Sequence, residues 1–246
     1  MKPGEDHRSV PCRMFRDGVW RDFHDVVSLE QRVCIEGPDG RKADLWAYPV
    51  GLEQLVLGHA YVEWGSAGGH PSIVSSGESV HNGRTSRNYT IAFEPRALSV
   101  SVADNLLMDG PGVLQAASDF IREQGLWDGT GCFHRASVYH PASGRFLKRA
   151  EDIARHNCLD RLAGWAFCED KNPANLVLFV SARVTASLCS KALKCGFRFI
   201  VSRSAITSTA LDLAVAHDLT LLGFCREHEK RFTVFHNAGR VAYDEF

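Results

Sequence analysis

The sequence predicts an α/β protein built on a mainly parallel sheet, with a smaller β-rich part ahead of it. Three observations carry that prediction. From residue 176 onward, apolar runs of strand length (176–182, 198–202, 220–225, 232–236) alternate with helical patterns (185–195, 207–217). Such alternation requires β-α-β crossovers, which lay consecutive strands parallel. Residues 1–95 instead show strand-like stretches separated by turn signals and one helical pattern, and 96–246 form the main α/β part. Finally, 246 residues with 45% hydrophobic and 23% charged side chains can bury a sizeable core, as one large domain or two lobes.

Taken in order, residues 1–22 are polar and expected to be loosely ordered. Residues 26–35 and 43–48 read as strands joined by the turn "EGPDGR". The stretch "GLEQLVLGHAYVEWG" places Leu52, Leu55, Val56, His59 and Ala60 on one helical face, with Gly65 as a stop. Residues 66–101 are rich in Gly and Ser, contain an Asn82-Gly83 turn, and are the expected hinge. "DGPGVLQAASDFIREQG" is a helix whose first turn suits Pro111 and whose buried stripe is Val113, Leu114, Ala117, Phe120 and Ile121. "TGCFHRASVYHPASGRFLKRAED" reads as a hairpin around "PASG", followed by a helix carrying "ARHNCLDRLAGWAF".

The formal net charge of −1 gives no electrostatic case for bulk nucleic-acid or membrane-surface binding. No apolar run approaches the ~18 residues of a spanning helix, and "MKPGEDHRSV" does not read as a signal peptide. The eight cysteines form no C-x-x-C pair, so free thiols and a cytoplasmic location are expected.

Three apolar runs end in arginine: "LFVSARVTAS" (Arg183), "FIVSRSAITS" (Arg203) and "LLGFCREHEK" (Arg226). In an open parallel sheet, ligands bind beyond the carboxyl ends of the strands. An arginine fork there matches a phosphate or carboxylate. Ser204, Thr207, Ser208 and Thr209 follow Arg203 at a helix start, where backbone N–H groups and the helix dipole favour an anion. Thr209 with Asp212 also fits a capping box. Against this stands the common case of arginines solvated or salt-bridged beyond a strand, and of hydroxyls that only cap. A second cluster lies in "KRAEDIARHNCLDRLAG", where His156 and Asp160 fall at i and i+4. His156 is then a candidate general base oriented by Asp160, or these residues simply cap and tether a helix.

These stretches, in this order, resemble the FdhD/NarQ family of formate dehydrogenase accessory sulfurtransferases. The resemblance rests on "GLEQLVLGHAYVEWG", "TGCFHRA", "RAEDIARHNCLDRLAG", Ser181-Ala182-Arg183, "SRSAITS" and "GFCREHEKRFTVF". It implies a cytidine-deaminase-like three-layer α/β/α fold, usually a homodimer. It also implies a role in which sulfur from a cysteine desulfurase passes, as a persulfide, to the molybdopterin guanine dinucleotide cofactor of formate dehydrogenase. The cofactor-binding stretch it implies is Phe224, Cys225, Arg226, Glu227, His228 and Glu229, with Arg183, Ser202, Arg203, Ser204, Thr207 and Ser208 as phosphate partners. His134 and His156 are its candidate catalytic residues.

One departure is informative. The family carries a C-G-V-C-G-type loop ahead of the "TGCFHRA" match, whereas "NYTIAFEPRALSVSVADNLLMDGPG" contains no cysteine. A persulfide carrier needs an accessible, activated thiolate. Cys132, Cys158 and Cys225 lie inside matched motifs, and Cys132, beside His134, or Cys225 is the candidate for a relocated carrier. A cofactor chaperone that has lost sulfur transfer fits the missing loop better. The alternatives are a nucleotide-binding module, or an enzyme unrelated to formate dehydrogenase. A zinc deaminase on the same scaffold would need H-x-E and P-C-x-x-C segments, which are missing here, so no zinc is expected.

Overall fold

The computed structural model describes residues 7–65, 69–81, 83–95 and 106–243. Its largest element is a six-stranded mixed sheet in the order β12-β11-β10-β9-β7-β8. The strands are β7 (His134–His140), β8 (Arg145–Asp152), β9 (Val177–Val180), β10 (Phe199–Ser202), β11 (Thr220–Arg226) and β12 (Arg231–His236). Only β9, β10 and β11 run parallel to one another; β7 is antiparallel to both β9 and β8, and β12 to β11. The expectation of a mainly parallel sheet therefore holds for the centre and fails at both sides. There, consecutive strands are joined by tight turns over "PASG" and "EHEK", which can only reverse the chain.

Every residue of β9 and β10 is buried, because helices cover both faces and such strands read as unbroken apolar runs. On one face, Leu178, Val180, Ile200 and Leu221 pack against α4 (Arg155–Cys168), α5 (Ala186–Lys194) and α6 (Ser208–Ala216). On the other, Val177, Phe179, Phe199, Val201 and Leu222 meet Val113, Ala116, Ala117 and Phe120 of α2 (Gly110–Arg122). This is the three-layer α/β/α arrangement. Asp109 caps α2 by accepting from Gly112 N at 2.8 Å, with Pro111 in the first turn.

A second sheet, β4-β3-β6-β5, combines β3 (Gln31–Glu36), β4 (Lys42–Ala47), β5 (Gly69–His81) and β6 (Arg84–Pro95). Residues 69–95, read as short pieces of a hinge, thus form two long paired strands. Residues 66–68, Asn82 and residues 96–101 of that expected hinge lie outside the described residues. Val33, Ile35, Tyr89 and Ile91 cover one side of α1 (Leu52–Trp64), and the other side of α1 lies on α4. The two helices touch through glycine. A Cβ on Gly58 would overlap the Asp160 carbonyl oxygen, and one on Gly164 would overlap that of Gln54.

Residues 7–28 are not loose but paired, as β1 (His7–Arg16) and β2 (Val19–Ser28). Asp17 and Gly18 make the turn at φ 54° and 80°, the Asp-Gly hairpin signal. Phe15 faces Trp20 across it, ring centroids 5.2 Å apart. Sequence patterning left this pair unread because the hairpin buries little: no residue of either strand is fully buried, and in β1 only Val10, Cys12 and Met14 are half-buried. A short helix α3 (Leu126–Thr130) precedes β7. No helix among the described residues is long and apolar enough to cross a membrane.

Candidate functional site

The topology gathers the sequence-predicted residues at one edge of the six-stranded sheet. β9, β10 and β11 are parallel, so Val180, Ser202 and Arg226 end at the same edge. Because β7 is antiparallel it begins there: Ser181 N donates to Arg135 O, and Arg135 N to Ser181 Oγ, both at 3.0 Å. β8 ends there too, with Asp152 opposite His134. α4, α5 and α6 follow β8, β9 and β10, so their N-termini, the positive ends of their dipoles, gather at this edge.

The loops at this edge are laced by backbone hydrogen bonds. Val184 N donates to Ala205 O at 3.0 Å, Thr207 N to Val184 O at 3.1 Å, and Phe224 N to Ser204 O at 2.9 Å. Phe224 sits at φ 50°, a left-handed conformation unusual for an aromatic residue. The preceding Gly223 has no room for a side chain, since a Cβ would lie 2.7 Å from both Ile206 and Phe235. Ser202, expected to contact a phosphate, is fully buried instead. Its hydroxyl donates to Ala182 O at 2.9 Å and accepts from Ser204 N at 3.0 Å, so it shapes the loop rather than meeting a ligand. Ser204 is half-buried, while Thr207 and Ser208 are exposed. Thr207 is the N-cap residue of α6 and makes no side-chain cap bond, so the helix starts earlier than a Thr209–Asp212 capping box requires.

The arginines divide into two classes. Arg183 is exposed and has no hydrogen-bond or ion-pair partner among the described residues. Arg155 at the start of α4 is half-buried and likewise has no hydrogen-bond or ion-pair partner among the described residues, its Nε being buried. Arg226, in contrast, is engaged: its Nη1 lies 2.7 Å from Glu229 Oε1, its guanidinium stands 5.7 Å above the Phe224 ring, and Arg231 pairs with the same glutamate. Arg226 and Arg231 hold Glu229 down at about 2. Arg203 is intermediate, with Nη2 3.7 Å from Glu227 Oε1. His228 is exposed, 3.7 Å from Glu227 and 3.5 Å from Glu229.

The histidines do not form the expected dyad. His156 Nε2 meets Ser187 Oγ at 3.1 Å, while Asp160 is engaged by Lys191 Nζ at 2.7 Å and His59 Nδ1 at 3.3 Å. Asp160 lies on the buried side of α4, so it cannot orient His156 as a base. Burial, helped by Arg155, pushes the pKa of His156 down; the same two causes lower that of His134, against Asp152. Both imidazoles are therefore biased to the neutral form beside an unpaired guanidinium.

Of the motif cysteines, Cys225 is buried in the α2-side core, where desolvation pushes its thiol to about 12. Its side chain is thus unavailable to a ligand or a sulfur donor. Cys158 is buried as well, its thiol raised by burial and directed at His134 O at 3.4 Å. Cys132 is exposed. Sequence reasoning missed Arg155 as a binding residue, and it placed Glu227 only as one member of the cofactor-binding stretch. Neither residue type signals its lack of a partner until the fold places its neighbours.

The FdhD/NarQ family profile matches residues 75–242. The chain is 28% identical over 257 aligned positions to the "Sulfur carrier protein FdhD" of Thermoplasma acidophilum, covering 92% of this chain and 90% of that one. It is 39% identical over 131 residues to the protein of the same name from Nocardia farcinica, a match that spans 53% of this chain and 44% of that relative. The chain thus covers less than half the length of the latter. A crystal structure from Desulfotalea psychrophila, described as that of a formate dehydrogenase accessory protein, shares the fold with a TM-score of 0.76. That likeness covers 96% of this chain and 99% of the other at 19% identity. Residues at this sheet edge, from His134 to the "GFCREHEK" segment, fall inside the matched region, and the chain belongs to the FdhD/NarQ family.

Proposed function

We propose that this protein is a formate dehydrogenase accessory protein that holds the guanine dinucleotide form of the molybdenum cofactor at the edge just described and delivers it to the enzyme. The observation that carries the reading is the pair of arginines without partners, Arg155 and Arg183, at the edge where three helices begin. A guanidinium with no counter-charge beside helix N-termini is matched to an anion that arrives from outside. Arg155, Arg183 and Arg203, with the exposed hydroxyls of Thr207 and Ser208, would hold the diphosphate. Phe224, stacked under Arg226, offers a flat surface for a base. When bound, the cofactor supplies the metal-dithiolene centre at which formate dehydrogenase works. Formate dehydrogenase is the recipient, eight free thiols fit a reducing compartment such as the cytoplasm, and the homodimer is what the family resemblance implies.

The test is calorimetric titration of the purified protein with GDP. Saturable binding is expected, and Arg183→Ala and Arg203→Ala should each weaken it by ~1–3 kcal/mol, as the loss of a hydrogen bond to a charged group does. No binding of any nucleoside diphosphate would remove the reading.

The exposure of Cys132 favours a second role, as the relocated sulfur carrier. Its thiolate would attack the terminal sulfur of a desulfurase persulfide, releasing the desulfurase thiolate and leaving Cys132 as the persulfide. Cys132→Ser is expected to leave GDP binding unchanged, because no backbone or side-chain bond of the nucleotide edge passes through its sulfur. Loss of formate dehydrogenase maturation in that variant, measured as activity in cells supplied with it, would assign it the carrier role. Unchanged maturation would leave delivery alone.

A further inference from the structure

We propose that the outer edge of β8 is a docking groove for an extended, acidic segment of a partner protein, which adds to the six-stranded sheet as a further strand. The groove is separate from the nucleotide edge. β8 closes one side of the sheet, four inter-strand steps from β11, which is about 19 Å at ~4.8 Å per step. A cavity of about 760 Å³ lies beside it, lined by four consecutive residues of the strand, Lys148 to Glu151. The main chain there is half used. Arg135 O accepts from Ser181 N, so Arg135 turns its peptide groups toward β9. Its neighbour Ala136 therefore turns toward β8, where it is paired with Ala150. These directions alternate along a strand. Lys148 and Ala150 thus bond to β7, while Arg149 and Glu151 present N–H and C=O to the open side. No described residue pairs with them there, since β8 has only β7 as a neighbour. An unpaired strand edge is a template for another chain, and main-chain bonds to such an edge are a recurring mode of peptide recognition.

The walls of the cavity select the segment. One wall is the α2–α3 connection, held by Arg149 Nη2, which donates to Gln124 O at 2.7 Å, and by Glu151 Oε2, which accepts from Leu126 N at 3.0 Å. The other is residues 48–51 and the first turn of α1. Arg161 ties it down, donating to Tyr48 O, Val50 O and Gly51 O as well as to Asp152. Lys148 shares a strand face with Asp152 and so points to this second wall. It is half-buried and has no ion pair or hydrogen bond with any described residue. Gly51, the N-cap of α1, contributes no side-chain cap, so the positive end of that helix opens on the same cavity. An acidic side chain suits this wall. A second copy of β8 does not. Laid antiparallel about its own centre, it would set Lys148 against Arg149 twice, and like charges directly opposite are destabilising.

The test uses a capped peptide of alternating valine and glutamate, a valine–lysine counterpart, and amide exchange read by NMR. In the free protein the amides of Arg149 and Glu151 are expected to exchange faster than those of Lys148 and Ala150, and the valine–glutamate peptide is expected to slow them. The valine–lysine peptide should not bind. With its glutamates on the Lys148 side of an antiparallel ladder, the peptide sets its valines opposite Arg149 and Glu151. N-methylation of the valine amides should therefore abolish binding, and N-methylation of the glutamate amides should leave it. Lys148→Glu is expected to weaken the peptide about tenfold or more, because attraction becomes like-charge repulsion. Its thermal midpoint should hold, since Lys148 makes no native bond. Arg149 and Glu151 amides already protected in the free protein would mean that a segment of this chain fills the groove, and would overturn the proposal. So would a valine–glutamate peptide that does not bind, equal binding after methylation of its valines, or full affinity in Lys148→Glu. None of these outcomes bears on the nucleotide edge.

Discussion

Gly164→Ala is expected to destabilise the protein by about 3 kcal/mol or more, at the upper end of overpacking effects. A Cβ there would overlap the carbonyl oxygen of Gln54, lie 2.9 Å from the carbon behind it and 3.0 Å from Gly58 N. All three are backbone atoms, so no rotamer change relieves the contact, and α1 and α4 must move apart. Their separation would disturb Leu159, Leu162 and Ala163 beneath them, which are almost fully buried. For a chain of this length the loss corresponds to a fall of about 6–12 °C in the melting midpoint, since each kcal/mol is worth about 2–4 °C. Thermal denaturation followed by circular dichroism measures it. A midpoint unchanged within a degree would show that the helices are less closely seated than the glycines imply.

Asp160→Asn is expected to be nearly as damaging, for an electrostatic reason. Asp160 is fully buried and stands 2.7 Å from the Lys191 ammonium, itself 7% exposed, and 3.3 Å from His59. The amide preserves shape but removes the charge that balances Lys191, leaving Glu63 at 3.4 Å as its remaining counter-ion. Breaking a buried pair from one side costs about 3–5 kcal/mol. The expectation is a lower denaturant midpoint with an unchanged slope. Adding Lys191→Met to Asp160→Asn should recover much of the loss, because it is the unpaired charge and not the missing contact that is unfavourable. If the double variant is as unstable as the single one, the contribution of Asp160 is packing.

The central strands and their helices were legible because each is buried on a defined face. Residues 177–180 and 199–201 are apolar throughout, and α5 and α2 carry stripes at helical spacing. The same physics explains the failures. β1 and β2 bury almost nothing, so their marks, the Asp17-Gly18 turn and the alternation of Val10, Cys12 and Met14, are weak beside those of the core strands. The antiparallel course of β7 depends on which partner strand it finds, a non-local choice that its own residues do not encode. At the site, the arginines were legible as a class but not their pairing. Whether Arg226 faces a ligand or Glu229 depends on a tight turn that places two charges three residues apart. Likewise His156 and Asp160 have the spacing of a pair on paper. The burial of α4 on both α1 and α5 decides otherwise, turning Asp160 toward Lys191 and His156 toward Ser187.

The lacing of the edge loops has a kinetic consequence. Val184 bonded to Ala205 and Thr207, and Phe224 bonded to Ser204, tie the β9–α5 and β10–α6 connections to each other and to the end of β11 before any ligand arrives. The conformational entropy of ordering these loops is lost on folding and is not charged again to association. A ligand therefore meets a surface already shaped, and its capture is expected to proceed at a rate set by encounter and orientation, without a slow closing step. A site that need not close on its ligand or reopen to release it keeps exchange fast in both directions.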